Sequence, residues 1–306
     1  MIIRRTPVYN VQVNHEGMEE NLFPDPSFPF YIFFEDYSAL IGRTLNCHWH
    51  PELELDYVLR GGVDFTINGR PQMLTAGECL FLNSGVLHTA RQREDMESAL
   101  IMVVVFRPSL FAKEHPDSGF LRYFSGSEES LVWDGAGEEE VPVRLALERL
   151  AGLREGEYGY ELMCLSEISR IWLYASRRMQ QGGQRNDGGA AHGPVKKMLA
   201  YIHDHYQEKI TIDQLTAFAG VSRTQCYSQF RQYTGLSPVA YLNDYRLNRA
   251  AALMLETECS VTEAGYACGF GDSSYFVKLF RQRFGVPPMR YRRERRISER
   301  APSVTT

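Results

Sequence analysis

The sequence predicts an α+β chain of two domains: an N-terminal β-barrel or sandwich with following helices, and a C-terminal all-helical domain carrying two tandem helix-turn-helix units. Three observations carry this. The hydrophobic period changes from strand-like to helix-like near Val141. A stretch with five glycines and no large apolar residue, QGGQRNDGGAAHG, interrupts the chain at 181–193. Two similar helix-turn-helix layouts follow between 211 and 285. The expected division is a first domain over 1–180, a flexible linker over 181–193 and a second domain over 194–300. At 306 residues the chain also exceeds the size at which one core keeps growing.

Between 30 and 106 the segments FYIFFEDY, LELDYVL, VDFTING, ECLFLNS and ALIMVVVF are short, rich in β-branched and aromatic residues, and separated by Gly, Pro or Asn. Asn68-Gly69 is a hairpin signal, because both positions tolerate positive φ. From Val141, VPVRLALERLAGL and EYGYELMCLSEISRIWLYASRRMQ space apolar residues as amphipathic helices do. Leu162, Leu165, Ile168, Ile171, Trp172 and Ala175 fall on one stripe, which either packs on the strands or forms a dimer seam. Past the linker, Pro194 suits a first helical turn, and Val195, Met198, Leu199 and Ile202 face inward.

Charge divides the chain in the same way. The net charge is −5, yet residues 194–300 hold sixteen Lys and Arg against ten Asp and Glu. The +6 of that segment against −11 elsewhere points to the C-terminal part as the one that meets a polyanion. Six cysteines (Cys47, Cys79, Cys164, Cys226, Cys259, Cys268) form no CxxC pair, so reduced thiols are expected rather than a disulfide frame or zinc ribbon. No run approaches the ~20 apolar residues of a spanning helix. The opening MIIRRTPVYNVQV lacks the apolar core of a signal peptide. A cytoplasmic protein without membrane contact is expected.

In the first helix-turn-helix copy, Thr211 caps a helix with Leu215 and Phe218 inward, Gly220 ends it and Ser222 caps the next. Cys226, Gln229 and Phe230 then face in, which leaves Arg223, Thr224, Tyr227, Ser228 and Arg231 outward on the half of the helix that reads bases. In the second copy Asp272 is the cap, and Tyr275, Phe276, Leu279 and Phe280 pack inward. Ser273, Ser274, Val277, Lys278 and Arg281 are left for DNA. Arg246 and Arg249 on the joining helix, and the run MRYRRERR, read as phosphate contacts or solvated charge.

These residues carry a resemblance. GFGDSSYFVKLFRQRFGVPPMRYR (269–292), RLNRAAALMLET (246–257) and the first copy through TGLSPVAYL resemble the DNA-binding domain of AraC/XylS transcription regulators. Gln229 departs from that pattern, in which an apolar residue is usual. The resemblance implies sequence-specific promoter binding, control by an effector or by oligomeric state, and activation through RNA polymerase as the commoner role.

The segment HWHPELE (48–54) gathers two histidines and two carboxylates. Strand alternation puts His48 and His50 on one face. Glu54 has the same parity but would lie ~20 Å from His48 on a straight strand, so it joins them only if Pro51 starts a turn. His88 is a fourth candidate. With Gly42, Gly61, Gly77 and Gly85 the spacing resembles both halves of the cupin motif, with Asn83 and Gln92 as departures. That resemblance implies a cupin-like barrel and makes His48, His50, Glu54 and His88 ligands of a divalent metal ion such as Fe, Mn, Zn or Ni. The same side chains, without metal, would hydrogen-bond a polar effector, with Tyr57 and Arg60 lining or rimming the cavity. A third reading has the histidines satisfied by carboxylates such as Glu52.

The function expected is an effector-responsive, sequence-specific transcription regulator, and not an enzyme. Its expected partners are promoter DNA, a small molecule such as a sugar, and a second copy in a homodimer. A metal-dependent cupin enzyme would explain the histidines but leave the helix-turn-helix copies without use. A constitutive DNA-binding protein with a purely dimerising barrel is the third option.

Overall fold

The computed structural model describes residues 18–19, 23–111, 130–134, 137–181 and 193–300. Most of the expected linker, residues 182–192, lies outside them. The chain forms two compact units, one from Glu19–Ser38 and Cys47–Gly193, the other from Ala39–Asn46 together with the chain from Pro194 on.

The first unit holds two antiparallel sheets. Strands β1 (Phe30–Asp36), β3 (Leu53–Arg60), β6 (Cys79–Leu82), β8 (Leu100–Phe106) and β9 (Ser130–Trp133) form one, in the order β1-β8-β3-β6-β9. Strands β2 (Thr44–His48), β4 (Gly62–Ile67), β5 (Arg70–Thr75) and β7 (His88–Gln92) form the other, in the order β2-β7-β4-β5. Among the described residues no ladder joins the two, which corrects the expected closed barrel to a pair of sheets. Gly61 makes one corner between them. Its φ is +76°, and a Cβ there would lie 1.8 Å from the Ser98 carbonyl oxygen, so only glycine lets the chain leave β3 and enter β4. The β4–β5 hairpin turns at Asn68 and Gly69, with φ of 46° and 82°, as expected.

Alternation along β3 sorts its side chains. Leu53, Leu55 and Tyr57 join Phe81, Met102 and Phe106 beneath two helices, α1 (Val141–Gly152) and α2 (Tyr160–Gln181). Trp172 stands edge-on to Phe81 at 5.1 Å and to Phe106 at 5.9 Å. Each such fully buried side chain contributes roughly 1.5–3 kcal/mol. The packed stripe of α2 runs through Cys164, Ile168, Ile171, Trp172, Ala175 and Met179. Leu162, expected on it, is 73% exposed, because the stripe begins at Cys164, and two residues carry the chain to the opposite side of a helix.

In the second unit are α3 (Gly193–His205), α4 (Ile212–Ala219), α5 (Arg223–Thr234), α6 (Pro238–Glu256), α7 (Val261–Ala267), α8 (Ser273–Phe284) and α9 (Pro288–Arg300). Their starts were written in the sequence. Thr211–Gln214, Ser222–Gln225 and Ser260–Glu263 form reciprocal capping boxes, and the Asp272 carboxylate accepts from the Tyr275 amide. Gly220, Gly235 and Gly285 end α4, α5 and α8 in left-handed conformation. Val195, Met198, Leu199 and Ile202 are buried as expected. Phe276 and Phe280 pack with Ala250, Met254 and Tyr291. Helix α7 approaches α8 so closely that a Cβ on Gly265 would lie 2.9 Å from the Phe276 ring. Two expectations fail here. Phe218 is 54% exposed against Tyr201, and Tyr275 is 47% exposed, with its hydroxyl accepting from Asn243. Both lie to the side of the stripes that carry Leu215 and Phe276 inward.

Candidate DNA interface and effector pocket

Helix α5 turns Cys226 and Phe230 into the core. The spacing then forces Thr224, Tyr227, Ser228 and Arg231 outward, and all four are exposed. Arg223 is exposed too, but its guanidinium is forked onto Asp213 of α4 at 2.8 and 2.6 Å. The sequence reading did not assign Asp213 this partner. On α8, Ser273, Ser274, Val277, Lys278 and Arg281 line one concave surface together with Gln282 and Gly285. Thus the five residues expected to face DNA in the second copy share a single face.

The remaining arginines behave otherwise. Arg246 is buried and donates to the carbonyls of Tyr206 and Glu208, both at 2.6 Å. Arg249 is half-buried, with its guanidinium over the Tyr206 ring. Arg246 is therefore not the phosphate contact or solvated charge expected, and it braces α6 against the segment just past α3. Within MRYRRERR, Arg290 pairs with Glu294, Arg292 donates to the Cys259 carbonyl, and Arg295 donates to the carbonyls of Ala39 and Leu40. A basic run reads as surface when only its composition is known. Here carbonyl oxygens take up much of it.

The polar cluster forms where β2, the turn after it, β3 and β7 converge. His48, His50 and His88 are each at most 3% exposed. The ring centres of His48 and His88 are 4.1 Å apart, and one nitrogen from each of the three lies within 4.8 Å of the others. The turn at Pro51 does bring Glu54 back: its carboxylate is 2.8 Å from His50 Nε2 and 3.8 Å from His88 Nε2.

Electrostatics divides the imidazoles into different states. Burial disfavours a charged His50, but the facing Glu54 carboxylate outweighs it and raises the pKa to about 9. Burial alone would raise Glu54; His50 instead holds it far below the usual carboxylate range. Burial and the neighbouring His48 push His88 down to about 3. His88 Nδ1 lies 3.0 Å from the Val86 carbonyl. A carbonyl only accepts, so Nδ1 carries the proton and Nε2 presents its lone pair to the cluster. That atom has no hydrogen-bond partner among the described residues. Three converging imidazoles, one already oriented by a carbonyl behind it, fit a borderline divalent ion.

Tyr57 is not in this pocket. Odd-numbered positions of β3 face α1 and α2, so Tyr57 packs among Leu53, Leu55 and Cys79 on the opposite face. Arg60 is exposed at the end of β3. Other acids line the cluster instead. Glu19 is 3.5 Å from His48, and Glu52 is 3.8 Å from His50 while bound by Arg107 at 2.9 Å. Asp56, two positions after Glu54, is buried beside it; desolvation and the Glu54 charge raise its pKa well above the ordinary value. Parity with Glu54 could have found Asp56. Nothing local signals Glu19.

Two family models match the chain, and together they span more than half of it. The AraC-like ligand binding domain matches residues 41–154 and the Helix-turn-helix domain matches 215–294. The HTH-type transcriptional regulator YdeC of Bacillus subtilis is 28% identical over 264 residues, covering 84% of this chain and 90% of its own. The HTH-type transcriptional activator RhaS of Enterobacter sp. is 27% identical over 263 residues, covering 82% and 88%. Among solved structures, an AraC-type transcriptional regulator from Chromobacterium violaceum is 29% identical, with a TM-score of 0.34 and coverage of 37% of this chain and 98% of that one. The capped tandem helix-turn-helix units and the ligand-binding sheets agree with both matches: the chain belongs to the AraC family of transcriptional regulators, with an N-terminal ligand-binding domain and a C-terminal DNA-binding domain.

Proposed function

We propose that this regulator binds a small polar effector among His48, His50, Glu54 and His88, and that occupancy changes how its two helix-turn-helix units engage promoter DNA. The observation that carries this reading is the buried cluster itself. Three imidazoles converge there on one carboxylate, and the buried His88 Nε2 presents a lone pair with no hydrogen-bond partner among the described residues, an acceptor that a bound group would use. Donors and acceptors in alternation suit the hydroxyls of a sugar or polyol, and RhaS, a named activator, is among the relatives. Activation then requires contact with RNA polymerase. The outward residues of α5 and α8 read the operator, and the protein works in the cytoplasm without catalysing a reaction.

The test is calorimetric titration of a carbohydrate panel against the purified protein, with DNA-binding titrations in parallel. His50→Ala is expected to abolish the effector response and to spare operator binding. Promoter binding that no candidate alters would favour a constitutive regulator. Turnover with stoichiometric metal and no DNA affinity would favour a cupin enzyme.

A second reading is supported by the lone pair of His88 Nε2: a divalent ion held by His48, His50 and His88, with Glu54 beside them, on which the effector binds. A homodimer is supported by the exposed Leu162, Met163 and Leu173 of α2, and sedimentation of Leu162→Glu tests it.

A further inference from the structure

The first helix-turn-helix unit carries an ion pair that its fold does not require. Asp213 is the second residue of α4, and Arg223 is the first residue of α5. The Arg223 guanidinium donates through Nε at 2.8 Å and through Nη2 at 2.6 Å to the two carboxylate oxygens of Asp213. Both side chains are 68% exposed, and a single pair so exposed contributes almost nothing to stability. The caps set the second unit in register with the first: Ser260 stands where Thr211 does, and Asp272 where Ser222 does. The positions of Asp213 and Arg223 are then held by Thr262 and Ser273, and that unit folds through the same helix pair without them.

A guanidinium holds its N–H donors in a planar fork. Asp213 takes one from Nε and one from Nη2, which leaves the Nη1–Nη2 end with two parallel donors directed away from the carboxylate. Those donors match O6 and N7 of guanine, two acceptors side by side in the major groove. Adenine offers N7 beside a donor, and cytosine and thymine offer no acceptor pair, so the fork distinguishes the bases. Arg223 stands in the half of α5 whose side chains reach base edges. A lone carboxylate beside that face would repel phosphates; forked onto Arg223 it is neutralised and fixes the direction of the free edge.

We propose that Asp213 aims Arg223 at a single guanine in the major groove met by the first unit. Arg223 touches the base, whereas Asp213 is a positioning residue and touches no DNA. The assignment rests on the reading of the outward face of α5 as base-contacting, and adds to it the base and the residue that orients its reader.

The full chain is used to select duplexes from a random pool, and affinities are then measured for the selected duplex with each base pair in turn at every guanine position. Wild type is expected to prefer guanine at one position by about tenfold or more. Arg223→Ala should erase that preference and leave the preferences at other positions intact. Asp213→Ala should cut it to about threefold or less, because the guanidinium is no longer held in place, while random duplex is bound at least as well as before. Asp213→Glu, which keeps both carboxylate oxygens, should restore most of it. A ratio between two duplexes does not move when part of the protein is unfolded, so loss of aim is kept apart from loss of folding. Equal loss on every duplex for Arg223→Ala would assign that residue to phosphate, and a guanine preference untouched by Asp213→Ala would leave the pair a surface contact; either overturns the proposal. A wild-type selection without any sequence preference would overturn the reading of α5 and α8 as base readers, and the proposal with it.

Discussion

His50 Nε2 lies 2.8 Å from a Glu54 carboxylate oxygen inside the first unit, and that contact keeps the His50 imidazole protonated and the Glu54 carboxyl ionised. Its neighbour His88 is driven the opposite way, so two buried histidines respond to pH with opposite sign.

The metal-free protein is therefore expected to be most stable near neutral pH. The folded pKa of His50 is raised to about 9, so its contribution is complete below the unfolded value of 6.5 and is lost as pH rises toward 9. His88 is lowered to about 3, so the unfolded chain takes up a proton that the folded one refuses, and stability falls as pH drops from 6.5 toward 3. Melting temperatures across pH 4–9 (roughly the range these two groups span) check this. His50→Gln should flatten the alkaline limb and His88→Gln the acid limb. A profile unchanged in both variants would refute the assignment.

A cation that takes His50 as a ligand must first displace its proton. Affinity for Co(II) is expected to rise about tenfold per pH unit from pH 7 to near 9. Titrations in buffers of different ionisation enthalpy should show one proton released. Affinity independent of pH over that range would mean that His50 is not a ligand.

Lys278→Ala and Thr224→Ala are each expected to weaken binding to the selected operator by ~1–3 kcal/mol if they read bases. A competition assay against random duplex separates the roles. Equal loss on both DNAs would assign the residue to phosphate alone.

Arg246→Ala is expected to destabilise the second unit by about 2–4 kcal/mol, because two carbonyls lose a charged donor in a buried place. The slope of log affinity against log salt should stay as it is, whereas Lys278→Ala should reduce a slope it contributes to by about one. Denaturant melts and salt titrations measure the two effects, and a changed salt slope for Arg246→Ala would restore the phosphate role.

Gly265→Ala is expected to cost about 1–3 kcal/mol, since the added methyl meets the Phe276 ring and α7 must move off α8. A melting curve matching wild type would show that the ring yields freely.

By itself the sequence determined whatever depends on neighbours a few residues apart. Caps at Thr211, Ser222 and Asp272, the hairpin at Asn68-Gly69, the outward faces of α5 and α8, and the shared parity of His48 and His50 all follow from local geometry with fixed periods. Tyr57 could have been assigned correctly by the same parity, since it is out of step with Glu54. Only the tertiary structure decided which surfaces meet. It placed Glu19 at His48, assigned Arg246 to the carbonyls of Tyr206 and Glu208 just past α3, left the described strands as two sheets and not one barrel, and packed Ile41 with Met254 and Phe280, more than two hundred residues away. The reason is physical: a buried contact between distant segments is selected by shape and by the need to satisfy polar groups, and neither leaves a periodic trace in the chain.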